Sequence, residues 1–320
     1  MHPLPDLSGR TVVVTGTTSG LGKSLSAALA GAGARVLMTA RDAGRGTAAV
    51  EQVRAGLTPS SPGAGSAELV LLDLADLASV RAAATRIREH TGDRLDVLVN
   101  NAGVAMGPRA ETADGFELQI GTNHLGPAAL TWLLMPALRG AGDAEQPSRV
   151  VTTSSLGHRS GRIDPDDLHW TRRRYGPNAA YCASKLANLL FAAELDRRLR
   201  LAGDPVLSVA AHPGMTESSL LANSFRRAGS GPWKDRVYGV LDRLIVQPVE
   251  DGIAPQLAAA TGPVHGGDYI GPSGWGEVHG PPAPARRTAA AQDPVLAGRL
   301  WQVTAAATGI TPDPGRRVQV

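Results

Sequence analysis

Short apolar runs alternate with longer amphipathic segments along most of the chain. The run TVVVTG at 11–16 is rich in β-branched residues and bounded by glycine, which predicts a buried strand. Residues 21–34 carry apolar side chains at helical spacing and end in glycines, which predicts a helix. The alternation continues with strands predicted at 35–40, 68–74, 95–103, 149–155, 206–214 and 266–272, and helices at 42–55, 76–91, 112–139, 178–202, 250–260 and 294–307.

Strands that alternate with helices favour parallel pairing, right-handed crossovers and helices on both faces of the sheet. We therefore predict an α/β fold, with a doubly wound, Rossmann-like and mostly parallel sheet of about seven strands. No linker separates two independent patterns, so residues 1–320 are expected to form a single domain. Outside the periodic segments we expect a flexible loop at 56–66, a polar connection at 156–177, an Arg-, Gly- and Trp-rich region at 215–248 and an irregular tail at 281–320.

Composition places the chain among soluble globular proteins, with 42% apolar and 19% charged residues. The formal net charge of +3 indicates no nucleic-acid partner. One cysteine, Cys182, allows neither an internal disulfide nor a multi-cysteine zinc site, and it is expected to be a core thiol. The most apolar run, 125–138, is shorter than a membrane span, and the start lacks a signal peptide, so we expect a cytoplasmic protein.

The segment TGTTSGLG joins the first predicted strand to the first predicted helix and contains Gly16, Gly20 and Gly22. Glycine permits a tight turn and lets the backbone approach a pyrophosphate closely. The helix that follows offers free N–H groups and the positive end of its dipole. Glycine is common in this chain, 38 of 320 residues, so an ordinary turn is the alternative. The position between strand and helix favours a dinucleotide phosphate loop.

Six motifs occur in one order along the chain: the GxxxGxG loop, NNAG at 100–103, TNHLG at 122–126, SS at 154–155, YCASK at 181–185 and HPGMT at 212–216. Together they resemble the short-chain dehydrogenase/reductase family. The segments 167–191 and 266–277, and the long connection from Ser155 to Tyr181, are similar to its retinol dehydrogenase and protochlorophyllide reductase branch. Because the first predicted strand begins near residue 11, we expect no N-terminal membrane anchor of the kind found in that branch.

Tyr181 and Lys185 lie one turn apart on one face of a predicted helix. A nearby ammonium stabilises a phenolate and lowers the pKa of the phenol, although a half-buried aromatic beside a solvated amine is the alternative. The resemblance implies that Tyr181 is the general acid and base and that Lys185 also binds the nicotinamide ribose. It implies that Ser155 holds the substrate oxygen, with Ser154 as the competing serine. Asn123 would hold a water in a proton relay, or simply make a local backbone hydrogen bond.

The second predicted strand ends in TARD, where the resemblance places Ala40 at the position of an NAD-selecting acid. The guanidinium of Arg41 suits a 2′-phosphate, which favours NADP(H) over NAD(H). Asp42 could instead pair with Arg41 or bind a ribose, and a solvated arginine at a helix start is the third reading.

The remaining cofactor contacts come from the resemblance alone, and they include Asp73 at the adenine pocket. Asp73 could instead cap the next helix, although Asp76 is better placed for that. An ordinary turn explains the Pro213–Gly214 pair equally well. The contacts implied are Thr18, Ser19, Leu21, Asp73, Leu74, Asn100, Ala102, Gly103, Pro213, Gly214 and Thr216, beside the three loop glycines, Tyr181 and Lys185.

The sequence favours a NADP(H)-dependent oxidoreductase acting on a carbonyl or alcohol, such as a ketoreductase. Reduction of an activated C=C bond and a catalytically silent dinucleotide-binding regulator are alternatives, and the complete Ser, Asn, Tyr and Lys set disfavours the regulator. No metal site is predicted, since His124, His158, His169 and His212 lack ligand spacing. Arg172–Arg174 is expected to be a solvated surface. The substrate, the reaction direction and the choice between monomer and homo-oligomer stay open; Trp233 and Tyr238 would either line or pack a substrate lid.

Overall fold

The computed structural model describes residues 4–57, 65–215 and 248–314. Within these ranges eight strands form one sheet in the order β3-β2-β1-β4-β5-β6-β7-β8. The first seven pair in parallel, and β8 runs antiparallel to β7. This confirms the predicted doubly wound α/β fold. The strands are β1 Thr11–Val14, β2 Arg35–Ala40, β3 Ser66–Leu71, β4 Val97–Asn100, β5 Ser148–Thr153, β6 Val206–Ala211, β7 Tyr269–Pro272 and β8 Pro282–Pro284.

Helices connect the strands and cover both faces of the sheet. Aspartates that accept hydrogen bonds from free N–H groups begin three of them, with Asp42 before α2, Asp76 before α3 and Asp293 before α9. None of the helices in the described ranges is both long and apolar enough to cross a membrane. The helices are α1 Gly20–Gly31, α2 Ala43–Ala55, α3 Leu77–Thr91, α4 Leu118–Ile120, a π-helical turn Gly121–Leu125, α5 Gly126–Ala141, α6 Pro177–Ala202, α7 Val249–Gly252, α8 Ala254–Thr261 and α9 Pro294–Thr308.

Side-chain alternation along the strands builds a hydrophobic core on each face of the sheet. Val13 and Leu98 point to the face covered by α3, α5 and α6. Val12 and Val14 point to the opposite face, which α1, α2 and α8 cover. Because both faces are buried, the strands consist of nearly continuous apolar residues, which is why the sequence pattern identified them.

The structure differs from the predicted elements at two places that bear on the site. The helix predicted at 112–139 begins at Leu118, because the Glu117 carboxylate accepts hydrogen bonds from Gln119 N and Ile120 N and starts the helix there. The tail that was predicted to be irregular contains β8, which the sequence pattern did not indicate because two of its three residues are prolines. Proline lacks the N–H that a central strand needs, but an edge strand such as β8 tolerates it.

The tail helix α9 packs against α5 and α6. The Trp301 indole stacks on Phe191, with ring centroids 5.4 Å apart and planes at 15°. It also meets Trp132 edge-on, with centroids 4.9 Å apart. This aromatic cluster joins the end of the chain to the two helices behind the centre of the sheet.

Leu98→Ala in β4 should lower the free energy of unfolding by about 2–5 kcal/mol, because the side chain is fully buried in the central strand and its loss leaves a cavity. Leu201→Ala is the matched control, since Leu201 is 72% exposed and should change stability little. Urea unfolding followed by circular dichroism measures both. Equal effects of the two changes would contradict the assigned core.

Candidate active site

A cleft of about 370 Å³ opens beyond the carboxyl ends of β1 and β4, where the strand order reverses. Open α/β sheets bind ligands at this switch point. The cleft runs from the glycine-rich loop past the ends of β2 and β3 to the loop after β4. Predicted cofactor residues that line it are Gly16, Thr18, Ser19, Gly20, Leu21, Gly22, Arg41, Asp73, Leu74, Ala102 and Gly103.

The glycine-rich loop is shaped by close backbone contacts. Gly16 has φ +72°, and a Cβ there would lie 2.8 Å from the Ala102 Cβ. A Cβ on Gly22 would lie 2.3 Å from the Gly16 carbonyl oxygen. Both positions therefore require glycine. The arrangement leaves the first N–H groups of α1 beside the cleft, where they can bind a phosphate.

Asn101 ties the end of β4 to this loop, a role that sequence reasoning missed. Its Nδ2 donates to the Thr15 carbonyl (2.8 Å), and its backbone N–H donates to Thr15 Oγ1 (2.9 Å). Its Oδ1 accepts from Gln256 of α8 (3.0 Å). The predicted Asn100 points into the core instead, where it donates to Thr131 Oγ1 of α5 (2.9 Å) and so braces the sheet from behind. The doubled asparagine in NNAG was the available signal.

Two arginines line the cleft where β2 ends. Arg41 is exposed, and no carboxylate in the described ranges forms an ion pair with it. The Asp42 carboxylate accepts from the backbone N–H of Arg45 (2.7 Å), so it serves as the cap of α2. Arg45, four residues after Arg41, lines the same cleft and was not identified from the sequence. This end of the cleft therefore carries two guanidinium groups.

Asp73 and Asp76 divide the two roles that the sequence left open. Asp76 caps α3, accepting from Ala78 N (2.8 Å) and Ser79 N (3.3 Å). Asp73 lines the cleft and accepts from Ala75 N in a short turn (2.9 Å). The helix cap is thus Asp76, and Asp73 stays beside the cleft.

Helix α6 and the end of β5 bring together three of the predicted catalytic residues. The Lys185 Nζ lies 5.8 Å from the centre of the Tyr181 ring. It is buried and donates to the Thr153 carbonyl (3.3 Å). The Ser155 side chain lies close enough to the Tyr181 phenol to lower its pKa, and a Cβ built on Gly157 would contact both side chains. A hydroxyl, a phenol and an ammonium therefore meet in one place.

The two adjacent serines have different surroundings. Ser154 is buried, and its hydroxyl donates to the Lys185 carbonyl (2.8 Å), which is a structural bond. Ser155 begins a 3₁₀ turn, Leu156–Ser160, and its Oγ accepts from Gly157 N (3.2 Å). A Cβ on Gly157 would lie 3.3 Å from Tyr181 Cε1, so a larger residue at this position would crowd the tyrosine ring. The geometry favours Ser155 over Ser154 as the residue facing the phenol.

Asn123 sits in the π-helical turn between α4 and α5. Its Oδ1 accepts from Val104 N (2.7 Å), and its Nδ2 donates to the Val104 carbonyl (2.9 Å) and to Ser184 Oγ (2.9 Å). These bonds reach the loop after β4 and helix α6, so they are long-range rather than local. A Cβ on Gly103 would lie 3.2 Å from Asn123 Oδ1 and 3.5 Å from Lys185 Nζ. The turn thus places Asn123 close to the lysine.

Burial sets the protonation behaviour of the tyrosine–lysine pair. It lowers the pKa of Lys185 to about 8. It raises the pKa of the Tyr181 phenol, against the opposing effect of the Ser155 hydrogen bond. The sequence predicted that the ammonium would lower the phenol pKa; burial shifts that pKa in the opposite direction.

The turn after β6 packs against the segment that follows β7. Gly214 has φ +71°, and a Cβ there would lie 2.2 Å from the Val278 carbonyl oxygen. The neighbouring His212 is buried, which lowers its pKa to about 4, and its Nε2 lies 3.2 Å from Glu277. Thr216, Trp233 and Tyr238 lie outside the described residues. Within the described ranges, no cluster of three or more His, Cys, Asp or Glu side chains could hold a metal ion.

Comparison with known proteins agrees with this geometry. The short chain dehydrogenase family matches residues 10–229. Mouse polyprenol dehydrogenase is 41% identical over 302 residues, covering 93% of this chain and 83% of that protein. Human retinol dehydrogenase 13 is 37% identical over 304 residues, covering 95% of this chain and 86% of that protein.

Solved structures show the same likeness. A crystal structure of an uncharacterised protein from Mycobacterium paratuberculosis is 40% identical, with a TM-score of 0.77 and 96% coverage of both chains. The Pseudomonas aeruginosa RhlG/NADP active-site complex is 26% identical, with a TM-score of 0.65, covering 84% of this chain and 96% of that one. The chain therefore belongs to the short-chain dehydrogenase family of oxidoreductases.

Proposed function

We propose that this protein is a NADP(H)-dependent oxidoreductase that interconverts a carbonyl compound and its alcohol, with Tyr181 as general acid and base. The observation that carries the proposal is the proximity of the Ser155 hydroxyl, the Tyr181 phenol and the buried Lys185 ammonium. Carbonyl–alcohol interconversion needs a proton donor next to the reacting oxygen, and this cluster supplies one.

The residues of the cleft fit a dinucleotide. The glycine-rich loop lets a pyrophosphate approach the N-terminus of α1, and the arginines at the far end offer positive charge. Such a cofactor, when bound, supplies or removes the hydride. The protein's own contribution is to bind the cofactor, orient the substrate and move the proton.

In the reducing direction, the Ser155 and Tyr181 hydroxyls both donate hydrogen bonds to the substrate carbonyl oxygen. As that oxygen gains negative charge, the phenol O–H bond breaks and the proton passes to the oxygen, leaving a phenolate. The Lys185 ammonium stabilises that phenolate. In the oxidising direction the phenolate takes the hydroxyl proton back.

Arg41 and Arg45 support a preference for NADP(H). Two guanidinium groups beside the end of β2 can make charge-assisted bonds to a 2′-phosphate. Asp42, which could have opposed this by binding a ribose, is engaged as the cap of α2. The acidic residue that would favour NAD(H) at this position is replaced by Ala40.

The names of the matched relatives suggest a class of substrate. Polyprenol and retinol are long apolar primary alcohols, and this chain is 41% and 37% identical to dehydrogenases named for them. We propose an apolar alcohol or its aldehyde or ketone as the substrate. A panel of such compounds, with enones included for C=C reduction, read at the absorbance of the reduced nicotinamide, tests this.

Tyr181→Phe should lose turnover on the best panel substrate by roughly 10²- to 10⁴-fold while NADPH affinity stays unchanged, because only the proton donor is removed. Steady-state kinetics and fluorescence titration of NADPH measure the two effects. Tyr175→Phe is the matched control, since the Tyr175 phenol bonds Glu117 (3.0 Å) rather than Ser155. Unchanged turnover of Tyr181→Phe would exclude the proposed role.

Arg41→Ala should weaken NADPH binding about 10- to 100-fold and leave NADH binding within about twofold, because a charge-assisted bond to the 2′-phosphate is lost. Arg54→Ala, on α2 but bonded to the Ala67 carbonyl (2.7 Å), serves as control. Isothermal titration with both cofactors gives the affinities. Equal losses of affinity for NADPH and NADH would show that Arg41 does not bind the 2′-phosphate.

Lys185→Met should raise the free energy of unfolding at pH 7 by up to about 3 kcal/mol, because the ammonium is buried at a cost. The folded-state pKa is about 8 and the usual value 10.5, so the unfolded chain binds more protons between those values. Wild-type stability therefore rises with pH across that window, and the advantage of the variant disappears by its upper end.

Urea unfolding of wild type and Lys185→Met from pH 6 to 11 measures this difference. Lys23→Met provides the matched control, since the Lys23 ammonium bonds Gln52 near the surface of α1 (2.9 Å). If the free energies of unfolding of wild type and Lys185→Met change with pH in parallel, burial of the Lys185 ammonium does not destabilise the folded protein.

A further inference from the structure

The π-helical turn that carries Asn123 also carries His124, a residue that the reaction outlined above does not use. The His124 ring is buried and meets Phe191 edge-on, with centroids 5.9 Å apart. Its Nε2 lies 2.8 Å from the Thr304 hydroxyl of α9. Thr304 is fully buried. A hydrogen bond that is shielded from solvent therefore joins the π-helical turn to the tail helix α9.

The His124 imidazole has polar neighbours on two helices. On α9 its Nε2 meets the Thr304 hydroxyl. On α6 the Asn188 side chain interacts with the ring and raises the pKa of His124, against the larger effect of burial, which lowers that pKa to about 4. The imidazole is therefore neutral at neutral pH, and a neutral imidazole can both donate and accept a hydrogen bond.

Asn188 lies between His124 and the carbonyl that holds the catalytic lysine. Its Nδ2 donates to the Thr153 carbonyl (3.0 Å). The same oxygen accepts from Lys185 Nζ (3.3 Å). Polar contacts thus lead from Thr304 through His124 and Asn188 to the carbonyl that holds Lys185.

An aromatic frame fixes the tail helix at the start of this run. Trp301 stacks on Phe191, and the Arg198 guanidinium lies 4.6 Å over the Trp301 ring. Phe191, on α6, in turn meets His124 edge-on, so α9 reaches the imidazole directly through Thr304 and indirectly through Trp301 and Phe191. Displacing α9 would break the Thr304 contact and remove the ring that stacks on Phe191.

We propose that His124 and Thr304 are positioning residues, through which the tail helix α9 holds Lys185 and the turn of Asn123 in their catalytic geometry. The inference rests on the proposed function for the roles of those two residues. It gives the tail helix α9 a part in the reaction, although none of the residues that line the cofactor cleft belongs to α9.

Thr304→Val keeps the shape of the side chain and removes the hydroxyl, so it should lower kcat roughly tenfold with KM for the cofactor within about twofold, as misplacement of catalytic groups does. Thr304→Ser retains the hydroxyl and should restore wild-type kcat. The matched control is Thr308→Val, one turn later on the same buried face, where the hydroxyl bonds only backbone atoms of the helix end. Steady-state kinetics and thermal melts are recorded for all three.

A fall in kcat shared equally by Thr304→Val and Thr308→Val would reduce the effect to helix stability and overturn the proposal. Wild-type kcat in Thr304→Val would overturn it as well. If Thr304→Val does not yield folded protein, Thr304→Ala is compared with Thr304→Ser in the same way.

Histidine ¹⁵N spectra provide a readout that needs no substrate. The His124 Nε2 signal should shift in Thr304→Val but not in Thr308→Val, because only Thr304 contacts that nitrogen. A wild-type protein inactive on every substrate overturns the proposed function alone, whereas an unshifted His124 signal overturns this inference alone.

Discussion

An ammonium that is buried with no carboxylate partner among the described residues is the constraint around which the site is organised. Lys185 is 4% exposed, and burial lowers its pKa to about 8. Its direct contact is a backbone carbonyl, Thr153, which offers a dipole rather than a charge. Such a contact compensates desolvation only if the oxygen is held in place. Ser154 bonded to the Lys185 carbonyl, and Asn188 bonded to Thr153, hold both ends of it.

The cofactor end of the site is built by a different means, the close approach of backbones. Gly16 and Gly22 leave no room for side chains, and Asn101 stitches the loop to β4. These contacts involve the central strands β1 and β4, which are buried on both faces. The glycine-rich loop and the hydrogen bonds that hold Lys185 thus come together near Gly103, which lies beside both Asn123 and Lys185. Placing the two on rigid elements keeps their separation fixed.

The sequence predicted the sheet and most of the lining of the cleft, because burial on both faces and glycine spacing are local signals. It missed features that depend on contacts distant along the chain. Asn101 acts through a strand that lies 86 positions earlier, and the π-helical turn at Asn123 is held by the Val104 loop. Arg45 lies at the cleft because the Asp42 cap starts α2 at Ala43. The antiparallel edge strand at 282–284 contains prolines, which the pattern reads as a breaker.

The raised phenol pKa bears on how the proposed reaction would run in its two directions. Burial raises the pKa of Tyr181 and so favours the protonated phenol, which suits a proton donor and hence carbonyl reduction. To act as a base in alcohol oxidation, the same phenol needs additional positive charge nearby. Burial also disfavours the charged form of Lys185, whose pKa it lowers to about 8. An oxidised nicotinamide carries a positive charge and a reduced one is neutral. Under the proposed function the cofactor's redox state would therefore set the acidity of Tyr181, with Lys185 held close enough to stabilise the phenolate when it forms.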